Sequence, residues 1–117
     1  MDSLAKAHLA VHALAGKRAQ DPVILDLRGL TIIADFFVIV TGASSLNIRA
    51  LADGVLEAMR KEDIKGVRPE GMSEAAWVLI DLGDVVVHIF DAEQRDFYQL
   101  ERLWADAVRV PIPEEAT

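Results

Sequence analysis

Hydrophobic positions recur with a helical period at the start of the chain. The stripe lies within a helix expected from about residue 3 to 16, and its members are Leu4, His8, Val11 and Ala15. Asp2 or Ser3 can cap this helix, because their side-chain oxygens can accept hydrogen bonds from its first free N–H groups. Gly16 suits its end. The pattern therefore predicts an amphipathic first helix.

A second helical stripe follows Gly42 and consists of Ile48, Leu51, Ala52, Val55 and Met59. Ser44 or Ser45 can cap this helix, which should end near Lys61 and Glu62. Serine can also serve as a nucleophile, but neither serine lies in a G-x-S-x-G elbow. Capping is the usual role of a serine at the start of a helix, so this stripe is predicted to pack in the core.

Short apolar runs between turn residues predict the strands of a sheet. They are expected at residues 23–28, 36–41, 66–71, 76–82 and 85–90. The first two are apolar on both sides, as central strands are. The third contains Pro69, which cannot donate to a ladder of hydrogen bonds and so suits a short edge strand or a loop.

The order of these elements predicts one domain of the α/β or α+β class. A last short helix is expected within residues 97–107, which makes the order α-β-β-α-β-β-β-α over residues 1–110, with a flexible tail at 111–117. Two helix–strand alternations and a hairpin favour a mixed sheet with helices packed mainly on one face. The chain has 117 residues and 52% hydrophobic content, which is enough for a single core.

The last two strands form a hairpin whose register sorts side chains onto two faces. A two-residue turn at Gly83 and Asp84 pairs Trp77 with Phe90 across the strands. One face is then wholly aliphatic and is expected against the helices, with Val78, Ile80, Leu82, Val85, Val87 and Ile89. The opposite face carries Trp77, Leu79, Asp81, Val86, His88 and Phe90.

This second hairpin face is not ordinary core, because Asp81 and His88 would need partners there. If it is open to solvent, Trp77 and Phe90 form an exposed aromatic pair rimmed by acidic groups, which is typical of a protein-docking site. A metal site is the alternative for Asp81 and His88, but no third ligand is evident in the sequence. The predicted partner-binding residues are Glu70, Trp77, Leu79, Asp81, Leu82, Asp84, His88 and Phe90.

Two further histidines, His8 and His12, are four residues apart on one face of the first helix. That spacing could bind a metal ion, but no glutamate completes an H-E-x-x-H motif, and a half-buried helix face is expected instead. The sequence has no cysteine, which excludes a disulfide framework, a thiolate nucleophile and a cysteine zinc site within it. We therefore expect no metal and no cofactor.

The charge balance indicates the kind of partner. The net charge is −7, from 19 acidic and 12 basic residues, which argues against direct sequence-specific nucleic-acid binding and favours basic protein surfaces or simple solubility. No apolar run approaches the roughly 20 residues of a membrane span, so no membrane partner is expected. The N-terminal basic residues follow the apolar stretch, the reverse of a secretory signal, and a cytoplasmic protein is predicted.

Three blocks of the sequence resemble the ribosomal silencing factors, also called the Iojap family, over nearly the whole chain. They are DLRGLTIIADFFVIVTGASSLNIRALAD, EGMSEAAWVLIDLGDVVVHIFD and FYQLERLW. The resemblance implies a small α/β domain distantly similar to nucleotidyltransferases. It implies that the domain binds the large ribosomal subunit through ribosomal protein fourteen, blocks subunit joining sterically and represses translation when nutrients are short. It also implies a homodimer of the free protein.

Catalysis is the remaining alternative, since a degenerate nucleotidyltransferase-like enzyme would share this fold. Such an enzyme needs paired carboxylates on one strand to hold a divalent ion beside a Gly-Ser phosphate loop. Here Gly42 is followed by Ala43, no D-x-D motif occurs, and a turn separates Asp81 from Asp84. The sequence therefore predicts a binding module that is not an enzyme.

Overall fold

The computed structural model describes residues 1–113, which form one six-stranded sheet and four helices. The strands are β1 (Gln20–Asp26), β2 (Phe36–Thr41), β3 (Arg68–Glu70), β4 (Trp77–Asp81), β5 (Val85–Phe90) and β6 (Val108–Val110). The helices are α1 (Ser3–Ala15), α2 (Ser45–Lys61), α3 (Ala92–Tyr98) and α4 (Leu100–Leu103). The strand order is β3-β4-β5-β2-β1-β6, and only β2 and β5 run parallel among these neighbours. The predicted α/β class and mixed sheet are confirmed.

The two long helices begin where their caps predict. The Asp2 carboxylate accepts a hydrogen bond from the N–H of Ala5 at 2.8 Å, and the Ser44 hydroxyl accepts one from the N–H of Asn47 at 3.0 Å. Ser44 therefore serves as a cap. Gly42 precedes it at a crowded place, because a Cβ there would lie 2.5 Å from Cγ1 of Ile48. Only glycine lets β2 pass directly into α2 this closely.

Helices α1 and α2 lie on one face of the sheet and bury the main core. The α2 stripe of Ile48, Leu51, Ala52, Val55 and Met59 is buried, as predicted. It meets the aliphatic side of the hairpin, which is confirmed as Val78, Ile80, Leu82, Val85, Val87 and Ile89. The amphipathic period in the helices and the alternation in the strands thus point at the same interior.

The predicted bounds of the first strand, 23–28, are wrong at both ends. β1 starts at Gln20, and its pairing with β2 is irregular between Gln20 and Val23. This stretch contains Asp21, at φ 49°, and a proline, which cannot donate to the ladder. The strand stops at Asp26 because the Asp26 carboxylate turns to the backbone and side chain of Arg28.

The C-terminal part differs most from the prediction. The helix predicted within 97–107 is present only as the four-residue α4, and a separate helix, α3, begins earlier at Ala92, where the Asp91 carboxylate accepts a hydrogen bond from the N–H of Gln94 at 2.7 Å. Gln99 then adopts a left-handed conformation, at φ 50°, and separates α3 from the four-residue α4. The chain returns as β6, which pairs antiparallel with β1 and was not predicted.

The segment from α3 to β6 covers part of the second sheet face. Leu100, Trp104 and Ala107 pack there against a smaller cluster of buried residues that includes Phe37 and Phe90. Helices are therefore mainly, but not only, on one side. Beyond β6, Ile112 packs against the main core. Residues 114–117 lie outside the described part of the chain, so the flexible tail at 111–117 stays a prediction.

Candidate docking site

The hairpin has the predicted register, and this places the candidate residues. Trp77 pairs with Phe90, Leu79 with His88, and Asp81 with Val86. These side chains lie on the sheet face opposite α1 and α2. Within β4 the burial alternates, so that Trp77, Leu79 and Asp81 are half-buried while the residues between them are fully buried.

The expectation of an exposed Trp77–Phe90 pair is wrong for Phe90. Its side chain is only 1% exposed, because the ring stacks under Trp77, with ring centroids 4.9 Å apart. His88 and Leu82 are also buried, and Leu82 belongs to the main core beneath the helices. These three residues cannot offer side-chain surface to a partner in this conformation. Trp77, Leu79, Asp81, Asp84 and Glu70 remain accessible in part or fully, and their partner-binding role stays a prediction.

His88 is held as a neutral ring. The indole N–H of Trp77 donates to Nδ1 of His88 at 3.2 Å, so the imidazole proton is on Nε2. Nε2 is buried and has no hydrogen-bond partner among residues 1–113. The Phe37 ring lies 4.6 Å from the imidazole in an edge-on arrangement, and burial lowers the pKa of His88 from 6.5 to about 4. A side chain so enclosed is suited to packing rather than to proton transfer or metal binding.

The carboxylates around the hairpin turn serve the turn itself. Oδ1 of Asp81 accepts a hydrogen bond from the N–H of Gly83 at 2.8 Å. Asp84 pairs with Nζ of Lys6 at 2.7 Å, and the same ammonium donates to the carbonyl of Leu82 at 3.1 Å. Within the described residues, no group of three or more histidine, aspartate or glutamate side chains is arranged to hold a metal ion.

The two N-terminal histidines are not equivalent. His8 is half-buried on α1, as expected, whereas His12 is exposed. The expectation of a half-buried face is therefore met by only one of the pair.

None of the helices in residues 1–113 has the length and apolar character required to cross a bilayer.

The loop that leads into Trp77 is fixed by Arg49, a residue that the sequence did not single out. Nε of Arg49 donates to the carbonyl of Met72 at 3.1 Å, and Nη2 donates to that of Ser73 at 2.6 Å. Glu70 precedes this loop on the exposed edge strand β3 and pairs with Leu79. Arg49 thus ties α2 to the loop between two of the predicted partner-binding residues.

Two aromatic residues of α3 were also missed as members of the site. The Tyr98 ring lies 4.5 Å from that of Trp77, and the Phe97 ring lies 5.0 Å from that of Tyr98. Their side chains are 44% and 75% exposed, respectively. Adjacent aromatic residues at the end of a short helix were a signal for them, but only the tertiary structure brings them beside Trp77.

These features define the class of protein: a small α/β domain with an aromatic, acid-rimmed surface on one side of a mixed sheet. The family described as "Ribosomal silencing factor during starvation" matches residues 1–117. The chain belongs to this family, whose members are regulatory proteins.

Individual relatives agree with this assignment. A ribosomal silencing factor from Halalkalibacterium halodurans is 44% identical over 104 residues, which cover 89% of each chain. One from Bacillus subtilis is 42% identical over 99 residues, which cover 85% of this chain and 84% of that one. The crystal structure of a Chromobacterium violaceum protein matches with a TM-score of 0.87 at 32% identity and covers 100% of this chain and 94% of that one.

Proposed function

We propose that the protein binds the large ribosomal subunit through ribosomal protein fourteen and sterically blocks joining of the small subunit. Translation would thereby be repressed in the cytoplasm when nutrients are limiting. The observation that carries this proposal is the half-exposed Trp77 ring, supported from below by Phe90 and from the side by Tyr98. A pre-organised aromatic group on a rigid sheet loses little conformational freedom on binding, and such groups dominate interface energies.

The charge of the chain supports a protein partner with a basic surface. The net charge is −7, and Glu70 and Asp81 lie beside the aromatic surface on β3 and β4. Acidic groups at the rim of an interface accelerate encounter with a basic partner, and they repel nucleic-acid phosphates. The contact we propose is therefore with ribosomal protein rather than with a nucleic-acid sequence.

A steric block requires no chemical step. Its strength depends on the fraction of large subunits that carry the factor, which follows from the dissociation constant and the concentration. The two carboxylates of the turn and Ser44 already have structural hydrogen bonds, so they give no support to the nucleotidyltransferase alternative.

A homodimer of the free protein belongs to the same proposal. The sheet face opposite α1 and α2 is partly covered by Leu100 and Trp104, so it offers less apolar surface for such a contact. A different surface now supports it, since Leu30, Ile32 and Ile33 are exposed between β1 and β2. A second copy would remove these apolar side chains from water. Light scattering over a range of concentrations tests this point, and a monomer throughout would contradict it.

The decisive experiment is sedimentation with purified large subunits. We expect the chain to cosediment with them and to lower the fraction that joins added small subunits. Unchanged joining at saturating protein would refute the proposal.

Trp77→Ala is expected to weaken binding by about 30-fold or more, as truncation of an interface anchor does. Urea unfolding of this variant must accompany the measurement, because Trp77 also packs on Phe90 and holds His88.

A further inference from the structure

We propose that α3 is a second element of the docking surface, with Tyr98 as an anchor and Arg95 as the residue that positions it. This inference rests on the proposed function and extends it from the hairpin to the C-terminal segment. The partner is the same basic protein surface of the large subunit.

The rings of β4 and α3 form one continuous surface. Tyr98 lies against Trp77 at 4.5 Å and reaches Phe90 at 6.4 Å, while Phe97 stands edge-on to Tyr98. Single exposed apolar side chains are normal on a protein surface, but adjoining exposed aromatic rings are a feature of interaction sites. A partner that covered Trp77 would therefore meet Tyr98 as well.

The charges of α3 fit a basic partner. Its acidic side chains, Glu93 and Asp96, are exposed, whereas its single basic residue, Arg95, is turned inward and is 13% exposed. The Arg95 guanidinium donates to Thr41 Oγ1 at 2.9 Å and to both carboxylate oxygens of Glu101, at 3.1 and 3.3 Å. Removal of this cation from the surface leaves α3 aromatic and acidic, the complement of a basic protein.

The same contacts make Arg95 the residue that positions Tyr98. Helix α3 has no fully buried residue and ends at Gln99, which adopts a left-handed conformation. Burial of the side chains of α3 therefore does not fix the position of the helix. The planar guanidinium joins the end of β2 to the start of α4 and spans the break between the two helices. A lysine has the charge but not the fork of donors, so it cannot bond to Thr41 and to both Glu101 oxygens in this geometry.

The test compares matched variants for binding to purified large subunits. Arg95→Lys is expected to weaken binding about tenfold, since a displaced α3 loses part of the anchor contact. Arg102→Lys is its control, because the Arg102 side chain is exposed and forms no hydrogen bond or ion pair within residues 1–113. The affinity of this variant should stay within about twofold of wild type. Tyr98→Ala is expected to weaken binding about 30-fold or more. Leu46→Ala, at an exposed apolar residue on the opposite layer, is the control for Tyr98.

A double-mutant cycle distinguishes positioning from general structural support. If Arg95 acts through Tyr98, Arg95→Lys should cost little further affinity once Tyr98 is alanine. Hydrogen exchange of the Gln99 and Leu103 amides should also be faster in Arg95→Lys than in Arg102→Lys. Additive losses of affinity with unchanged exchange would overturn the role assigned to Arg95.

The outcomes separate this inference from the proposed function. If Trp77→Ala and Tyr98→Ala both bind as wild type, the whole aromatic surface is not the dock and the proposed site fails. If Trp77→Ala binds weakly while Tyr98→Ala matches Leu46→Ala, only the present inference fails. Loss of self-association by Tyr98→Ala with normal subunit binding would assign the ring to a contact between copies and overturn it too. Should Tyr98→Ala not fold, Phe97→Ala, at the most exposed ring, replaces it under the same criteria.

Discussion

The indole N–H of Trp77 donates a hydrogen bond to Nδ1 of His88 at 3.2 Å, across the β4–β5 pair. The donor belongs to a half-exposed ring and the acceptor to a buried one. The bond fixes His88 in one tautomer and fixes the angle at which Trp77 meets solvent. The candidate docking residue is therefore part of the folded interior as well as of the surface.

Trp77→Phe is expected to lower the free energy of unfolding by about 1–3 kcal/mol, because it leaves Nδ1 of His88 buried without a donor. Urea unfolding at neutral pH measures this. Trp104→Phe is the matched control, since Trp104 packs edge-on against Phe37 and its indole forms no hydrogen bond within residues 1–113. Equal losses in the two variants would show that ring size, rather than the hydrogen bond, determines the cost.

Stability should also depend on pH through His88. Burial lowers its pKa from 6.5 to about 4, so between these values the unfolded chain binds a proton that the folded chain does not. The contribution of the neutral His88 ring to the free energy of unfolding is fully present above pH 6.5. It is lost as the pH falls towards 4, by about 3 kcal/mol in total. Urea unfolding at a series of pH values measures this loss.

The control for the pH effect is His88→Leu, which keeps an apolar group of similar size in the same place. Carboxylates that titrate over the same range contribute to both proteins, so the difference between the two curves isolates His88. As the pH is lowered, the free energy of unfolding should fall more for the wild type than for His88→Leu. Parallel curves from pH 7 to 4 would contradict a neutral, buried His88.

The hairpin could be predicted residue by residue because its information is local. A two-residue turn at Gly83 and Asp84 sets the pairing of Trp77 with Phe90, and strict alternation then decides which side chains face the helices. The caps Asp2 and Ser44 are local as well, since each bonds to an N–H three residues away.

The burial of Phe90 could not be predicted in the same way. Besides the contact with Trp77, it depends on Tyr98. The position of Tyr98 requires a left-handed conformation at Gln99, and no glycine or asparagine at that position indicates one. Strand β6 is three residues long and pairs with Asp26 far back in the chain. Lys6 and Asp84 are separated by 78 residues, so the sequence did not indicate that the Asp84 carboxylate, which was expected to face a partner, forms an ion pair within the domain.

The Lys6–Asp84 pair is expected to contribute to stability more than to docking. Lys6→Met should cost about 1 kcal/mol, because it leaves Asp84 and the carbonyl of Leu82 without their donor. Lys65→Met is the control, since Lys65 pairs at 2.7 Å with Asp63 but both side chains are exposed, and little change is expected. Affinity for the large subunit should be similar in both variants. A changed affinity of fully folded Lys6→Met, with Lys65→Met unchanged, would show that Asp84 contributes to the contact.

Two glycines in the loops that flank β4, Gly71 and Gly83, differ in the space around them. Gly71 and Gly83 both have positive φ, at 85° and 93°, but a Cβ on Gly71 would lie 2.3 Å from the carbonyl oxygen of Trp77, whereas Gly83 has open space. Gly83→Ala should therefore cost only the backbone strain, about 1–2 kcal/mol. Gly71→Ala should cost about 1–3 kcal/mol more, because the backbone of Trp77 must move to relieve the clash.

Subunit binding distinguishes these two glycine variants further. Since Gly71→Ala displaces the backbone that carries the proposed anchor, it should weaken binding under conditions where urea curves show the chain to be fully folded. Gly83→Ala changes a turn at the far end of β4 and should leave the affinity within about twofold of wild type. If both variants bind alike and differ only in stability, the position of the Trp77 backbone does not control docking, and the anchor must lie elsewhere on the domain.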